Sequence, residues 1–417
     1  MKVGVAEVNI TPPVGVSQAG YSSRTEVSKG IHDELYAKAI SFESNGSEVI
    51  LVTTDTIGFR WEETKWIRRR IEEEVGISGT NILINSSHTH SGPILGLTPY
   101  LRPELQRPDE AYLEVLKKKI VGLVKMAHDR KIKSNLMFGM GFIPQGIGSN
   151  RRVRIKGRVM IRPIGNHDKP LGPMDPSVNV VLACVNERVD AVIFNYTCHA
   201  TAAGAPLEIS ADYPGYAQMM IEKIMGCTAL FAQGCCGNIN PNQYRLYPPP
   251  SWRDPERMGQ ILAAEVLKVS KLARPVIGKP IKAGRSEVNL PIREEALSEK
   301  PQKENFRNLR MIKERDIEDG TVKTEIQAFK IGEICIVGIP GEPFVEIGLE
   351  IKRRISEIMP EAKCVITLGY CNDCGLGYIP IAKAYDEGGY EPSATILAKG
   401  SAEIITEETL KLLDSIT

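Results

Sequence analysis

The feature that most constrains this chain is the alternation of strand-like and helix-like hydrophobic patterns along almost its whole length, with hairpin pairs mixed in. Short apolar runs at 1–10, 34–42, 48–54 and 81–88 read as strands, and the turn Ser44-Asn-Gly-Ser47 joins the second to the third as a hairpin. Periodic amphipathic stretches at 61–75 and 110–131 read as helices. Beyond residue 135 the alternation continues: strands at 178–185 and 190–198, a helix at 213–225, a strand at 228–233 and a helix at 253–272. Then come a strand at 281–291, a charged helix around 296–316, strands at 323–330 and 333–339, a helix at 344–358, a strand at 363–370 and a helix at 401–415. Residues 139–176 read as a Gly- and Arg-rich loop, and the three consecutive prolines near 248 as a rigid one. The pattern predicts an α/β fold with mixed β-sheets flanked by helices rather than a purely parallel doubly wound sheet. No fixed-period repeat stands out, and residues 1–417 are expected to form a single catalytic domain.

Chemistry concentrates where strands end. Asn81-Ile-Leu-Ile-Asn85 leads into Ser87-His88-Thr89-His90-Ser91-Gly92-Pro93, which holds two of the six histidines. On a strand, positions i and i+2 share a face, so both imidazoles are expected to project together. A pair of this kind suits a metal ion, although an isolated His-x-His is as readily explained by hydrogen-bonded structural histidines. His199 ends a second apolar run. Asp212 follows it at a helix start, where a capping role is the simplest reading. Glu342, in Val337-Gly-Ile-Pro-Gly-Glu342-Pro343, sits between a strand and a helix. Two histidines and a carboxylate form a common hydrolytic zinc set that leaves a position open for water, and His88, His199 and Glu342 fit it.

Composition narrows the partners. A net charge of +1 with 25% charged residues offers nothing to nucleic acid, and no apolar stretch approaches membrane-spanning length, so no stable membrane insertion is expected. The first residues carry Glu7 and no long apolar core, so they do not read as a signal peptide, and a cytoplasmic location is expected. Nine cysteines, an odd number, read as reduced thiols that mostly behave as small hydrophobes. Cys371-x-x-Cys374 and the adjacent Cys235-Cys236 pair have poor spacing for a shared four-thiolate metal site and are read as thiols lining the pocket wall.

Taken together, the motifs resemble those of the neutral/alkaline (non-lysosomal) ceramidases. The matching segments are His88-Thr-His90-Ser-Gly-Pro93, His199 with the following Asp212-x-x-Gly-Tyr216, Pro340-Gly-Glu342 and Tyr378 with Tyr390-Glu391. Gly4-Val-Ala-Glu7-Val-Asn-Ile-Thr-Pro12, Gly30-Ile-His32 and Asn150-Arg151 extend the resemblance, in order, over nearly the whole chain. The resemblance implies the catalytic-domain fold of that family and one Zn2+ held by His88, His199, Glu342 and Tyr378. It places His90 and Arg151 against the substrate. Because an imidazole ordinarily titrates near neutrality, His90 is the expected proton donor to a leaving amine, and Asp212 is expected to orient a histidine or anchor substrate hydroxyls.

Three departures qualify what the resemblance implies. No C-terminal immunoglobulin-like domain is expected after the catalytic domain, and no secretion signal is expected before it. Gly237-Asn-Ile-Asn240-Pro-Asn242 carries Asn240 where the family has a serine; its carboxamide can stabilise an oxyanion but cannot attack as a nucleophile. The expected activity is zinc-dependent hydrolysis of an amide (N-acyl) bond in a soluble small molecule rather than ceramide. The alternatives are a zinc-dependent lyase, an esterase or lactonase on a sugar-like substrate, or a non-catalytic binding protein. Homo-oligomerisation is left open. Arg152 and Arg154 read equally well as a solvated basic loop. Loops 94–108 and 240–252 are expected to wall the pocket.

Overall fold

Asn45 and Gly46 both adopt positive φ (53° and 81°), the conformation a two-residue hairpin turn requires, and strand Tyr36–Ser44 folds back on Ser47–Thr54. The structure, a computed structural model, describes residues 1–98, 100–144, 147–161, 169–241, 250–278, 280–297 and 317–416. The hairpin is the start of a plan that the chain uses three times.

In the first instance Lys2–Asn9 pairs antiparallel with Tyr36–Ser44, and that strand with Ser47–Thr54. Helix Trp61–Val75 then carries the chain across, and Ile82–Ser86 adds parallel to Ser47–Thr54. The second instance runs Asn135–Phe142, Ser177–Val185, Arg188–Tyr196, helix Asp212–Met225 and the parallel strand Thr228–Gln233. The third runs Ile281–Pro291, Thr321–Ile331, Ile334–Gly338, helix Val345–Ile358 and the parallel strand Cys364–Leu368. A second helix completes each: Glu110–Asp129, Arg253–Leu272 and Ser401–Ser415. The three instances share pairing order and relative strand direction but no sequence period, because the plan needs only apolar character at inward positions and many residues supply it.

The three sheets turn one face each to a common core. Leu51 and Leu83 from the first meet Phe138, Val181 and Leu230 from the second and Phe329, Ile336 and Ile366 from the third, all buried. Their other faces pack under the helices, as where Val52 and Ile84 meet Ile67 and Leu116. Strands covered on both sides read as continuous apolar runs such as Val49-Ile-Leu-Val52 rather than as alternating ones. The mixed α/β reading therefore stands, and most strands lie within a residue or two of their expected bounds.

Two expectations are corrected. Strand Ile82–Ser86 stops before the histidines. The segment read as loop at 139–176 contains Gly148–Asn150 and the hairpin Arg152–Ile155 with Arg158–Ile161. Of the charged helix expected at 296–316, residues 298–316 lie outside the described residues, as do 242–249 of the proline-rich loop. The described cysteines are all free thiols, and Cys235, Cys335, Cys364 and Cys371 are packed in the apolar core.

Candidate metal centre

His88 follows its strand by two residues and has φ +60°, in the left-handed region. Such a conformation costs a non-glycine residue about 1–3 kcal/mol and persists only when its surroundings impose it. Here the His88 amide donates to Thr56 O at 2.9 Å and its Nδ1 lies 2.7 Å from Ile57 O. A carbonyl accepts only from N–H, so Nδ1 carries the proton and the Nε2 lone pair points into the site. The ring stacks on Tyr370, itself at φ +54°. The two imidazoles of the His-x-His segment therefore converge through a tight turn and not through a shared strand face.

His199 is held in the same way. It follows strand Arg188–Tyr196, and its amide (3.1 Å) and Nδ1 (2.9 Å) both face Ile239 O, again leaving Nε2 as the bare acceptor. Glu342 follows strand Ile334–Gly338 through Gly341, whose φ of +62° turns the chain. Its Oε2 lies 3.3 Å from His88 Nε2 and 3.4 Å from His199 Nε2. Each of the three copies of the plan thus contributes a loop to one point. Glu342 is also bridged in parallel to Tyr378, which brings that phenol alongside.

His90 closes the cluster. The ligating atoms of His88, His90 and His199 all lie within 4.8 Å of one another. Both ring nitrogens of His90, together with His199 Nε2 and Glu342 Oε2, are buried without a hydrogen-bond partner. Lone pairs and a carboxylate buried facing one another without hydrogen-bond partners are costly unless a cation joins them, and imidazole nitrogen with carboxylate oxygen is a zinc donor set. The residues present therefore fit the metal that the sequence suggests. His90 differs from the other two in having no backbone carbonyl behind its ring, which instead lies edge-on to Tyr21.

Burial presses His90 and His199 toward the neutral form. Burial, with His88 and His199 beside it, holds His90 well below its ordinary pKa. Burial likewise brings His199 down to about 4. Burial alone would raise Glu342, but His88 and His199 outweigh it and keep the carboxylate ionised.

Behind the metal cluster lies a buried polar network. Arg151 donates from Nε to Glu391 Oε1 at 2.8 Å and from Nη1 to Asn240 Oδ1 at 3.0 Å, and its guanidinium lies 5.3 Å from the centre of the Tyr378 ring. Arg152 takes the other oxygen of Glu391 at 2.9 Å and reaches Glu387 at 3.2 Å. Arg152 is therefore a buried structural ion-pair partner and not part of a solvated loop, whereas Arg154 is exposed. Glu391 is fully buried between the two arginines, a role that no local pattern reveals because its partners lie some 240 residues away. Asn240 is committed through its oxygen to Arg151.

Asp212 opens its helix at φ +58°, and its carboxylate accepts from the amides of Ala202 (3.1 Å), Ala203 (2.9 Å) and Tyr213 (2.7 Å). It braces the turn that follows His199. Asp212→Ala is expected to destabilise the protein by roughly 2–4 kcal/mol, from the amides it strands and the strained φ it leaves. Urea denaturation would read this as a lower midpoint at unchanged slope.

The cluster opens into a cavity of about 460 Å³. His88, His90, Glu342 and Tyr378 form its chemical end, and Leu95, Leu97, Thr98 and Tyr100 from the loop 94–108 form a wall, as that loop was expected to do. Cys374 also lines it, whereas Cys235, Cys236 and Cys371, expected beside it on the pocket wall, are packed in the apolar cores, and residues 242–249 of the second expected wall are outside the described residues. Among the described residues no helix is long and apolar enough to cross a membrane.

Residues 1–245 match the model of the family described as neutral/alkaline non-lysosomal ceramidase, N-terminal. The chain is similar to the neutral ceramidase of Pseudomonas aeruginosa, 26% identical over 253 residues covering 58% of this chain and 37% of that protein. It is also similar to the neutral ceramidase of Drosophila melanogaster, 31% identical over 96 residues covering 22% of this chain and 14% of the relative. The matches span 37% and 14% of the length of these two curated relatives. A crystal structure of neutral ceramidase from Pseudomonas aeruginosa superimposes on 99% of this chain and 73% of its own, with TM-score 0.80 and 21% identity, and so has the same fold.

Proposed function

The chain belongs to the neutral/alkaline non-lysosomal ceramidase family, and from that premise we propose that it is a zinc-dependent hydrolase that cleaves an amide (N-acyl) bond in a soluble small molecule rather than in ceramide. The observation that carries this reading is the convergence of His88, His199 and Glu342 from three separate sheets on one buried point at the end of a cavity. His88, His199 and Glu342 would hold the ion, with Tyr378 beside Glu342 as the fourth donor. Bound zinc supplies a Lewis acid that polarises the scissile carbonyl and brings the pKa of water down to about 7.

The chain's own groups do the rest. His90, held neutral by burial, is placed to take the proton of the attacking water and return it to the leaving nitrogen; it begins as the base and finishes as the acid. Arg151, fixed by Glu391 and Asn240, puts positive charge behind the Tyr378 ring, where negative charge on the carbonyl oxygen would be stabilised. Asn240 acts through Arg151 and Asp212 through the turn after His199, so both position groups rather than react. A cavity of about 460 Å³ suits a compact ligand, which supports a small-molecule substrate.

The test is metal analysis of the purified protein followed by a substrate panel. About one zinc per chain is expected, with hydrolysis of soluble N-acyl amides faster than that of ceramide in mixed micelles. Faster turnover of lactones, esters or glycosides would move the assignment to another reaction. Full amide hydrolysis after chelation and desalting would end it.

A further inference from the structure

Gln233 ends the parallel strand Thr228–Gln233 and is fully buried beneath the metal cluster. Its carboxamide nitrogen donates to Ser87 O at 2.8 Å and to Cys198 O at 2.9 Å. Those carbonyls belong to the residues immediately before His88 and His199. Its carboxamide oxygen accepts from the amides of Cys198 (3.4 Å) and Gly234 (3.1 Å). One side chain therefore clamps the backbone on which both clamped histidines stand, and both of its donors are used across the gap between them.

Asn85 secures the clamp from the neighbouring sheet. Its oxygen accepts from the Gln233 amide at 2.8 Å, and its nitrogen donates to Gln233 O (3.3 Å) and Gly369 O (2.7 Å), so the ends of all three parallel strands are stitched at this point. The rings of His88 and His199 are oriented separately by Ile57 O and Ile239 O. Ring orientation and backbone spacing are thus fixed by different groups, and spacing is the part that selects whether two Nε2 atoms can share one ion.

We propose that Gln233 is a positioning residue that sets the separation of His88 and His199 and thereby the affinity of the site for its metal. The proposal rests on the zinc reading above. Gln233→Glu keeps the shape but places an oxygen opposite two carbonyl oxygens. Gln233→Asn keeps the donors but shortens their reach by one methylene. Zinc affinity of the stripped protein, measured by competition with a chromophoric chelator, is expected to weaken about 10- to 100-fold in Gln233→Glu and to a lesser degree in Gln233→Asn. With Co2+ as probe, the visible absorption bands should shift in both variants, a change that a purely structural role would not produce.

If Gln233→Glu does not fold, Gln233→Asn decides. A folded variant of either kind with wild-type zinc affinity and an unshifted Co2+ spectrum overturns the proposal, even if its melting temperature has dropped. Wild-type protein that takes up no stoichiometric zinc would instead overturn the underlying metal assignment, so the two failures are distinguishable.

Discussion

His88→Ala is expected to lose stoichiometric zinc and to lower kcat/KM for amide hydrolysis by about a thousandfold or more, the loss of several kcal/mol that a catalytic metal supplies. The imidazole is anchored at Ile57 O and its Nε2 lies 3.3 Å from Glu342, so its removal takes one of the fixed donors away from the point where the ion would sit. His90→Ala should behave differently. Its ring has no carbonyl behind it, so the variant is expected to keep its zinc and lose kcat with little change in KM. Metal content by mass spectrometry alongside steady-state kinetics separates the two. Loss of zinc from His90→Ala would make His90 a ligand, and retention of both zinc and activity in His88→Ala would remove the catalytic proposal altogether.

The second large effect is expected at Glu391. Gln at this position keeps the shape but removes the charge that faces Arg151 at 2.8 Å and Arg152 at 2.9 Å, all three side chains being buried. Breaking a buried ion pair from one side costs about 3–5 kcal/mol, because the remaining charge is neither solvated nor paired. Arg152 retains Glu387, but Arg151 retains only the neutral Asn240 oxygen among these contacts, so the cost should fall mainly on the segment that carries Arg151.

The same pair predicts a pH dependence. Burial alone would raise the Glu391 pKa, but Arg151 and Arg152 outweigh it and leave it below the ordinary value. A depressed folded-state pKa gives stability that is present above the unfolded-state pKa and is lost as pH falls through the folded one. Wild type should therefore weaken in acid, from the normal glutamate range downward, more steeply than Glu391→Gln does. Urea midpoints across pH 3–7, taken at about unit steps, check both the size and the slope; a variant with the wild-type midpoint at pH 7 would show that the pair contributes nothing net.

Much of this architecture could be read from local pattern. The hairpin at Asn45-Gly46, the helices at 61–75 and 401–415 and the apolar runs of the inner strands each rest on interactions within a few residues, which is why their bounds were predictable. The candidate residues were legible for a related reason: His88, His199 and Glu342 each stand just past an apolar strand, where polar groups are otherwise unexpected. What local pattern could not give was the path between them. The His-x-His segment suggested a shared strand face, but a left-handed turn at His88 does the work, and only the packing against Thr56, Ile57 and Tyr370 imposes it.

By itself, the sequence determined the strand and helix inventory, the mixed α/β class and which polar residues stand at strand ends, because periodicity and turn chemistry act over short distances. Tertiary structure decided that one plan is used three times around a shared core, that the three strand ends meet at one point, that Gln233 bridges the carbonyls of Ser87 and Cys198, and that Glu391 pairs with Arg151. Those facts depend on contacts between residues tens to hundreds of positions apart, where burial removes water and makes each polar group answerable to its partner. No local signal marks a glutamine or a glutamate for such a place until the sheets have closed around it.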